Sequence, residues 1–471
     1  MCALQDARIL MVQILPLILS KGFVDKMKTY DVIIIGFGKA GKTLAKDLSL
    51  AGKQVAMVEQ SARMYGGTCI NVACIPTKTL LQEALKKQTF SDAMKRKNEV
   101  VQALNQKNFD NLAAEDEIDL FTLRAEFESS DTIALKNPES GETIEIIQAK
   151  QTVINTGSRA NILAIDGLDQ VENIYDSAGI MEIANQPEHL VIIGAGYIAL
   201  EFATIFRKFG TRVTIVHRDK HVLSKEERAI GETIYDELIA QGIKFIDEAE
   251  TTLFEVDSTD PQQTRIHTSQ GELLADAVLL ATGRQPNSDG LGLEAAGVEV
   301  NDGGEIVVNE HLQTSQSHIY AVGDVKGGPK FTYISLDDYR IVKSHLTEEG
   351  SRTTKTRGEV PYTLFIDPPL SRIGHTASAA RKKGYTIKEN SLKVSQIPRH
   401  KVNHDARGLF KVVVDTETDL ILGASLYGKE SEELINLIKL AMDSHIPYTR
   451  LRDQIYTHPT MAESFNDLFS M

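Results

Sequence analysis

Two glycine-rich turns constrain this sequence more than anything else in it: Gly36-Phe37-Gly38-Lys39-Ala40-Gly41 and, far downstream, Gly194-Ala195-Gly196-Tyr197-Ile198-Ala199. Each follows an apolar run, Asp31 to Ile35 and His189 to Ile193, that reads as a buried parallel-type strand. Each leads into a helical pattern, to about Leu50 in the first case and from Leu200 to Phe209 in the second. A further strand follows each helix, Gln54 to Glu59 and Arg212 to His217. Strand, tight glycine turn and helix N-terminus together cradle a pyrophosphate, because glycine lets the backbone approach and the helix start offers free N–H groups. Found twice, the unit predicts an α/β protein with two Rossmann-like dinucleotide-binding domains. Residues beyond 360 change character, with strand signals at Leu409 to Val414 and Ile421 to Leu426 and an amphipathic helix at Glu432 to Met442. No third glycine fingerprint appears there, so a C-terminal α+β domain is expected. A length of 471 residues accommodates about three domains of this kind.

In the first unit Gly36 and Gly38 form the turn, Gly41 lets helix and strand pack closely, and Glu59 ends the second strand where a carboxylate accepts from ribose hydroxyls. The second unit places Arg218 where the first places Glu59. A guanidinium there can pair with a 2′-phosphate, so NADPH is the expected nucleotide, with NADH possible. His217, Lys220 and His221 are candidates to extend that basic pocket; the alternative is a solvated basic strand end.

Two of the three cysteines lie in Gly66-Gly67-Thr68-Cys69-Ile70-Asn71-Val72-Ala73-Cys74-Ile75-Pro76-Thr77-Lys78. Thiols five positions apart on a regular helix are separated by ~7.5 Å along its axis. A disulfide needs Cα atoms within about 7 Å, so the oxidised pair requires a break in the helix. Pro76 suits a helix start and puts Cys74 at its N-terminal turn, where the dipole lowers a thiol pKa. Lys78, four residues on, shares that face. Beside a nucleotide site the pair reads as a redox disulfide. A structural disulfide suits a chain so poor in cysteine badly, and a zinc site lacks its other two ligands. No metal site is expected.

The formal charge of −14 excludes a basic surface for nucleic acid or anionic membrane. The apolar run from Ile9 to Leu19 is interrupted by Gln13 and Pro16 and is too short for a bilayer, which takes about 20 residues. Asp6 and the absence of a small-residue cleavage site make it a poor signal peptide, while Met27-Lys28-Thr29-Tyr30 leads straight into a strand. Residues 1–26 are expected to be an extension outside the fold, and the protein to be soluble and cytoplasmic.

The stretch from Gly67 to Lys78, with Ala281-Thr282-Gly283-Arg284, Ala321-Val322-Gly323-Asp324 and His458-Pro459-Thr460, resembles the pyridine nucleotide–disulfide oxidoreductases, the family of glutathione reductase, lipoamide dehydrogenase and mercuric reductase. The resemblance spans residues 27 to 471. It implies an FAD-binding domain in 27–172 and 284–358, an NAD(P)H-binding domain in 173–283 and a dimerisation domain in 359–471. It further implies that Cys74 is the thiol nearest the flavin and that Cys69 is the interchange thiol. Lys78 would pair with Glu201 near the flavin, Tyr197 would gate the nicotinamide pocket, and Asp324 would hold the ribityl chain. Gly67, Thr68, Gly157, Gly283, Arg284 and Gly323 would complete the nucleotide cradles. His458, oriented by Glu463, would be an acid–base group donated across a homodimer interface. Ala73 departs from the glycine usual before the second cysteine.

Within the family, Phe331 to Arg340, Pro369 to Arg372 and Leu451 to His458 are similar to a bacterial group associated with reactive-chlorine resistance and with reduction of hypothiocyanous acid and copper(II). No cysteine follows Cys74, so the C-terminal thiol relay usual in mercuric reductases is missing. The substrate implied is a small oxidant, with hypothiocyanous acid foremost. Alternatives are a copper(II) or mercury(II) reductase, a glutathione-type disulfide reductase, and a flavin-binding redox sensor without turnover.

Overall fold

A computed structural model describes residues 27–347 and 350–471. The expectation for residues 1–26 lies outside them.

The first sheet is built around the strand Lys28–Ile35, which pairs in parallel with Val55–Val58 on one side and Thr143–Ile154 on the other. It begins three residues before the apolar run, because the long Thr143–Ile154 strand offers ladder partners back to Lys28. Its side chains alternate between two cores. Val32 and Ile34 meet Leu44 and Leu48 of the helix Lys39–Leu50, while Ile33 and Ile35 meet Ala125, Phe127 and Ile133 on the opposite face. Burial on both faces is why the strand reads as an unbroken apolar run. Each such side chain contributes about 1.5–3 kcal/mol by leaving water. One further strand, Ile319–Ala321, joins this sheet in parallel with Thr143–Ile154, although the whole second nucleotide unit intervenes in sequence.

That second unit is a parallel sheet of Ile243–Ile246, Arg212–Val216, His189–Ile193, Ala277–Leu280 and Ile174–Tyr175. Its fingerprint helix is Tyr197–Lys208, starting earlier than the Leu200 expected. Gly196, extended at φ −75° and ψ −179°, is the cap, so the last fingerprint residues already form the first helical turn. A short antiparallel pair, Ser158–Ala160 with Arg284–Pro286, joins the chain segments entering and leaving this unit.

The C-terminal residues form a five-stranded antiparallel sheet, Tyr362–Leu364, Leu370–Gly374, Ile421–Tyr427, Leu409–Asp415 and Ile387–Lys393. The helix Ser431–Asp443 covers it through Leu434, Ile435, Ile438 and Ala441. Sheet and helix match the α+β expectation, with ends one residue longer. No described helix is long and apolar enough to cross a membrane.

Candidate active site

One cleft of about 2950 Å³ runs between the two nucleotide units and is bounded on one side by the C-terminal sheet. A pocket for one drug-sized ligand takes about 300–1,000 Å³, so this cleft has room for two dinucleotides end to end. Its walls include Gly36, Gly38, Glu59, Gly67, Thr68, Cys69, Cys74, Lys78 and Gly157 from the first unit and the dithiol segment. They also include Gly194, Gly196, Tyr197, Glu201, Arg218, Gly283, Arg284, Gly323 and Asp324. Gly41 lies behind the wall, buried against Ile34, where its role is close packing.

The backbone fits a flavin dinucleotide at the first fingerprint. A Cβ on Gly38 would lie 2.5 Å from Asn155 Oδ1, and one on Gly67, at φ +82°, would lie 2.8 Å from the Gly38 Cα. Asn155 cannot give way: its Oδ1 accepts from the Gly41 N–H at 2.9 Å and its Nδ2 donates to the Val322 carbonyl at 3.1 Å. Glu59 lines the same end, accepting from the N–H groups of Phe37 and Ser61 at 3.1 and 3.2 Å, and burial pushes its carboxyl up. Asp324 accepts from Ser158 Oγ at 2.7 Å, and Arg284 donates to that same hydroxyl at 2.9 Å. At the second fingerprint, nothing stands within 4 Å of a Cβ on Gly196, which faces the open cleft.

The basic strand end needs correcting. Arg218 is exposed on the cleft wall, as expected. His217 also lines the cleft but is buried, with its Nε2 held by Asp247 at 2.7 Å. Lys220 and His221 are not among the wall residues.

The dithiol segment is broken as oxidation requires. A single turn, Thr68–Asn71, carries Cys69; the chain then leaves helical geometry at Val72 and Ala73, and Cys74 opens the helix Cys74–Leu85. Ala73 lies at φ −144°, outside the left-handed region, so its backbone does not call for the glycine usual there. Lys78, one turn on, pairs with Glu201 Oε2 at 2.6 Å, and Glu201 Oε1 accepts from the Phe365 N–H at 2.9 Å. The ammonium also lies 4.8 Å from the Phe365 ring centre. With Thr77 Oγ1 at 3.3 Å as well, its position is fixed from three sides.

The two thiols share one proton strongly. The hydrogen bond from Cys74 draws the Cys69 pKa down to about 6 against burial, with Thr332, Lys42 and Lys78 adding to the effect. The same bond, reinforced by burial, pushes Cys74 well above the thiol range. The pair therefore titrates as a unit, with one proton held between two sulfurs. In the dithiol form, carbamidomethylation of Cys69 by iodoacetamide is expected to rise with pH through a midpoint of about 6. Mass-spectrometric labelling across pH 4 to 9 checks this; a midpoint at the ordinary thiol value of about 8.5 would contradict it.

Three residues close to this chemistry escaped the sequence reading. Thr332 Oγ1 stands 3.9 Å from Cys74 Sγ; it lies inside a stretch noted only for its similarity to relatives. Lys42, the residue after the first fingerprint, turns its ammonium to the Gly66 carbonyl at 3.1 Å and Asn108 Oδ1 at 2.6 Å, and burial and Lys39 draw it down to about 8. Asn155 had no signal except its place just before Gly157. His458 and Glu463 form a pair, Nδ1 to Oε2 at 2.7 Å, with the imidazole side chain 70% exposed. Glu463 orients Nδ1 and leaves Nε2 as the outward nitrogen. Neither residue lines the cleft of its own chain. Among the described residues, no group of three or more His, Cys, Asp or Glu side chains is arranged to hold a metal ion.

Two family models cover most of this architecture. The model for pyridine nucleotide-disulphide oxidoreductase matches residues 30–338, and that for the family's dimerisation domain matches residues 360–469. The chain belongs to this family. It is accordingly an oxidoreductase that uses a flavin and a pyridine nucleotide, and the dimerisation domain supports a homodimer. Among relatives, it is 46% identical to the probable pyridine nucleotide-disulfide oxidoreductase RclA of Escherichia coli, over 94% of this chain and all of that one. It is 31% identical to a mercuric reductase of Staphylococcus aureus, over 92% of this chain and 81% of that one. Solved structures of the E. coli HOCl-induced flavoprotein disulfide reductase RclA superpose closely. One of them gives a TM-score of 0.90 at 45% identity, covering 94% of this chain and all of that one. The copper(II) complex gives 0.91 at 46% identity, covering 94% of this chain and 99% of that one.

Proposed function

We propose that this flavoprotein spends NADPH to reduce a small oxidant, foremost hypothiocyanous acid, through Cys69 and Cys74 in defence of the cytoplasm against oxidative stress. The observation that carries the reading is the coupled thiol pair on the wall of a cleft with two nucleotide cradles. In this reading residues 27–172 and 284–358 hold FAD, 173–283 hold the nicotinamide nucleotide, and 359–471 form the dimer interface. FAD, when bound, supplies a two-electron path from nicotinamide to the disulfide. Gly36, Gly38, Glu59, Asp324 and the Gly67-Thr68 backbone bind and orient it, and the Lys78–Glu201 pair sets the charge beside it. Gly194, Gly196 and Arg218 receive NADPH.

With the pair reduced, the Cys69 thiolate attacks the sulfur of hypothiocyanous acid and breaks the S–O bond. His458 of the partner subunit protonates the departing hydroxide to water at Nε2. The imidazole that gave up its proton takes the one from Cys74, whose sulfur attacks Cys69, forms the disulfide and expels thiocyanate. Two electrons leave the dithiol and reduce the substrate to thiocyanate.

Copper(II) reduction is the second reading, favoured by the copper(II) complex of the E. coli relative. Here the ion would be substrate, met by the same two thiols. Stopped-flow oxidation of the two-electron-reduced enzyme by hypothiocyanous acid, copper(II) and oxidised glutathione separates the readings. Hypothiocyanous acid is expected to react fastest, and steady-state kcat/KM to be higher for NADPH than for NADH. Fastest reaction with glutathione disulfide, or a strong NADH preference, would overturn the corresponding part.

A further inference from the structure

The hydroxyl of Tyr197 does not point into open cleft. It donates to Glu226 Oε1 at 2.6 Å, and the Tyr362 hydroxyl donates to the same oxygen at 2.5 Å. Glu226 has a side chain with no solvent exposure, and its second oxygen faces Arg372 at 3.3 Å. Arg372 is held in turn by the Lys225 carbonyl at 2.6 Å and reaches the Tyr362 hydroxyl at 3.2 Å. The rings of Tyr197 and Tyr362 stack with centres 5.6 Å apart, and Phe331 continues the stack at 6.1 Å from Tyr362. Tyr197 comes from the second nucleotide unit, whereas Tyr362 and Arg372 come from the C-terminal sheet. Glu226 is the knot between them. The neighbouring Glu227 ties the same two bodies through Lys411 at 3.0 Å and the Ala377 N–H.

We propose that Glu226 latches Tyr197 across the nicotinamide pocket and that Tyr362, bound to the same carboxylate oxygen, lowers the cost of releasing it, both acting as positioning residues. The inference rests on the reading of Tyr197 as the nicotinamide gate and goes beyond it by naming what holds the gate. For nicotinamide to enter, the Tyr197 hydroxyl must leave a fully buried carboxylate. Stranding such an oxygen is costly, since a buried charged acceptor loses both its partner and its access to water. Tyr362 removes most of that cost by remaining on the same oxygen while Arg372 holds the other. The two residues therefore act in opposite senses. Glu226 keeps the gate shut, and Tyr362 makes it possible to open.

Opposite signs give the test. Apparent nucleotide affinity falls in proportion to the closed fraction, so unlatching tightens binding and over-latching weakens it. In the flavin-loaded full-length dimer, the Kd for NADP+ by isothermal titration calorimetry is expected to fall about five-fold in Glu226→Gln and in Tyr197→Phe, and to rise about five-fold in Tyr362→Phe. The Glu226→Gln, Tyr197→Phe double variant should show no further gain over Tyr197→Phe alone, because the glutamine weakens the one bond that the phenylalanine removes. Rates of flavin reduction at limiting NADPH should follow the same order. Shifts of one sign in all three single variants, or none, would overturn the latch. A Tyr197→Ala variant with unchanged NADP+ affinity and reduction rate would instead overturn the gate reading and the latch with it. Flavin content and the thermal unfolding midpoint identify a variant that has not folded, and Tyr362→Trp, which keeps the stack and removes the hydroxyl, then stands in for Tyr362→Phe with the same expected rise.

Discussion

Serine at Cys69 or at Cys74 is expected to cut NADPH-driven reduction of the oxidant by on the order of 10³-fold or more, while NADPH still bleaches the bound flavin. A factor of that size is about 4 kcal/mol of barrier, more than any positioning effect in the cleft supplies. The two variants fail differently. Cys69→Ser lacks the thiolate that attacks, so the oxidant leaves the protein unmodified. Cys74→Ser keeps the attacking sulfur and lacks the one that resolves the adduct, so a single equivalent of oxidant is consumed and remains on Cys69. Intact-mass measurement after one mixing event distinguishes these outcomes. Turnover surviving in both variants would remove the pair from the mechanism.

Mixing subunits should give the second large effect. His458→Ala alone is expected to lower turnover by about 10²- to 10⁴-fold, the usual worth of a placed acid–base group. Homodimers of Cys69→Ser and of His458→Ala are then both nearly inactive. If His458 serves the partner's thiols, a hybrid dimer pairs the intact Cys69 of one chain with the intact His458 of the other. Random reassortment makes half the dimers hybrid with one working site each, so about a quarter of native activity returns. If His458 served its own chain, no hybrid would contain an intact site and nothing would return. The exposed imidazole, its pairing with Glu463 and its absence from its own chain's cleft all agree with recovery.

What could be read from the sequence was what is local. The two fingerprints are legible because strand, glycine turn and helix are contiguous, and the burial pattern of Lys28–Ile35 follows from its unbroken apolar run. The helix start at Cys74 was legible from Pro76 two positions on. Interactions that bridge distant segments were not. His217 has the sequence context of a phosphate ligand, yet Asp247, thirty residues on, holds its ring. Cys74 has the helix position of an acidic thiol, yet it shares its proton with Cys69, five residues back. Glu226 and Tyr362 are 136 residues apart and have no motif, and only the packing of two domains brings them to one oxygen. Lys42 sat just after a recognised motif and was passed over because a lysine on a helix normally faces water.

The strand Ile319–Ala321 and the Asn155–Val322 hydrogen bond also determine when, on the ribosome, this protein can acquire its cofactor. Asn155 shapes the first nucleotide cradle, but the carbonyl that anchors its amide is synthesised only after the entire second nucleotide unit. The N-terminal half can form its parallel strands as they emerge, with that edge of the sheet still open and Asn155 unanchored. The second unit must therefore fold as an insertion into an unfinished neighbour. Flavin capture is then expected late in synthesis, and a chain arrested before residue 319 is expected to carry the fingerprint without a finished cradle.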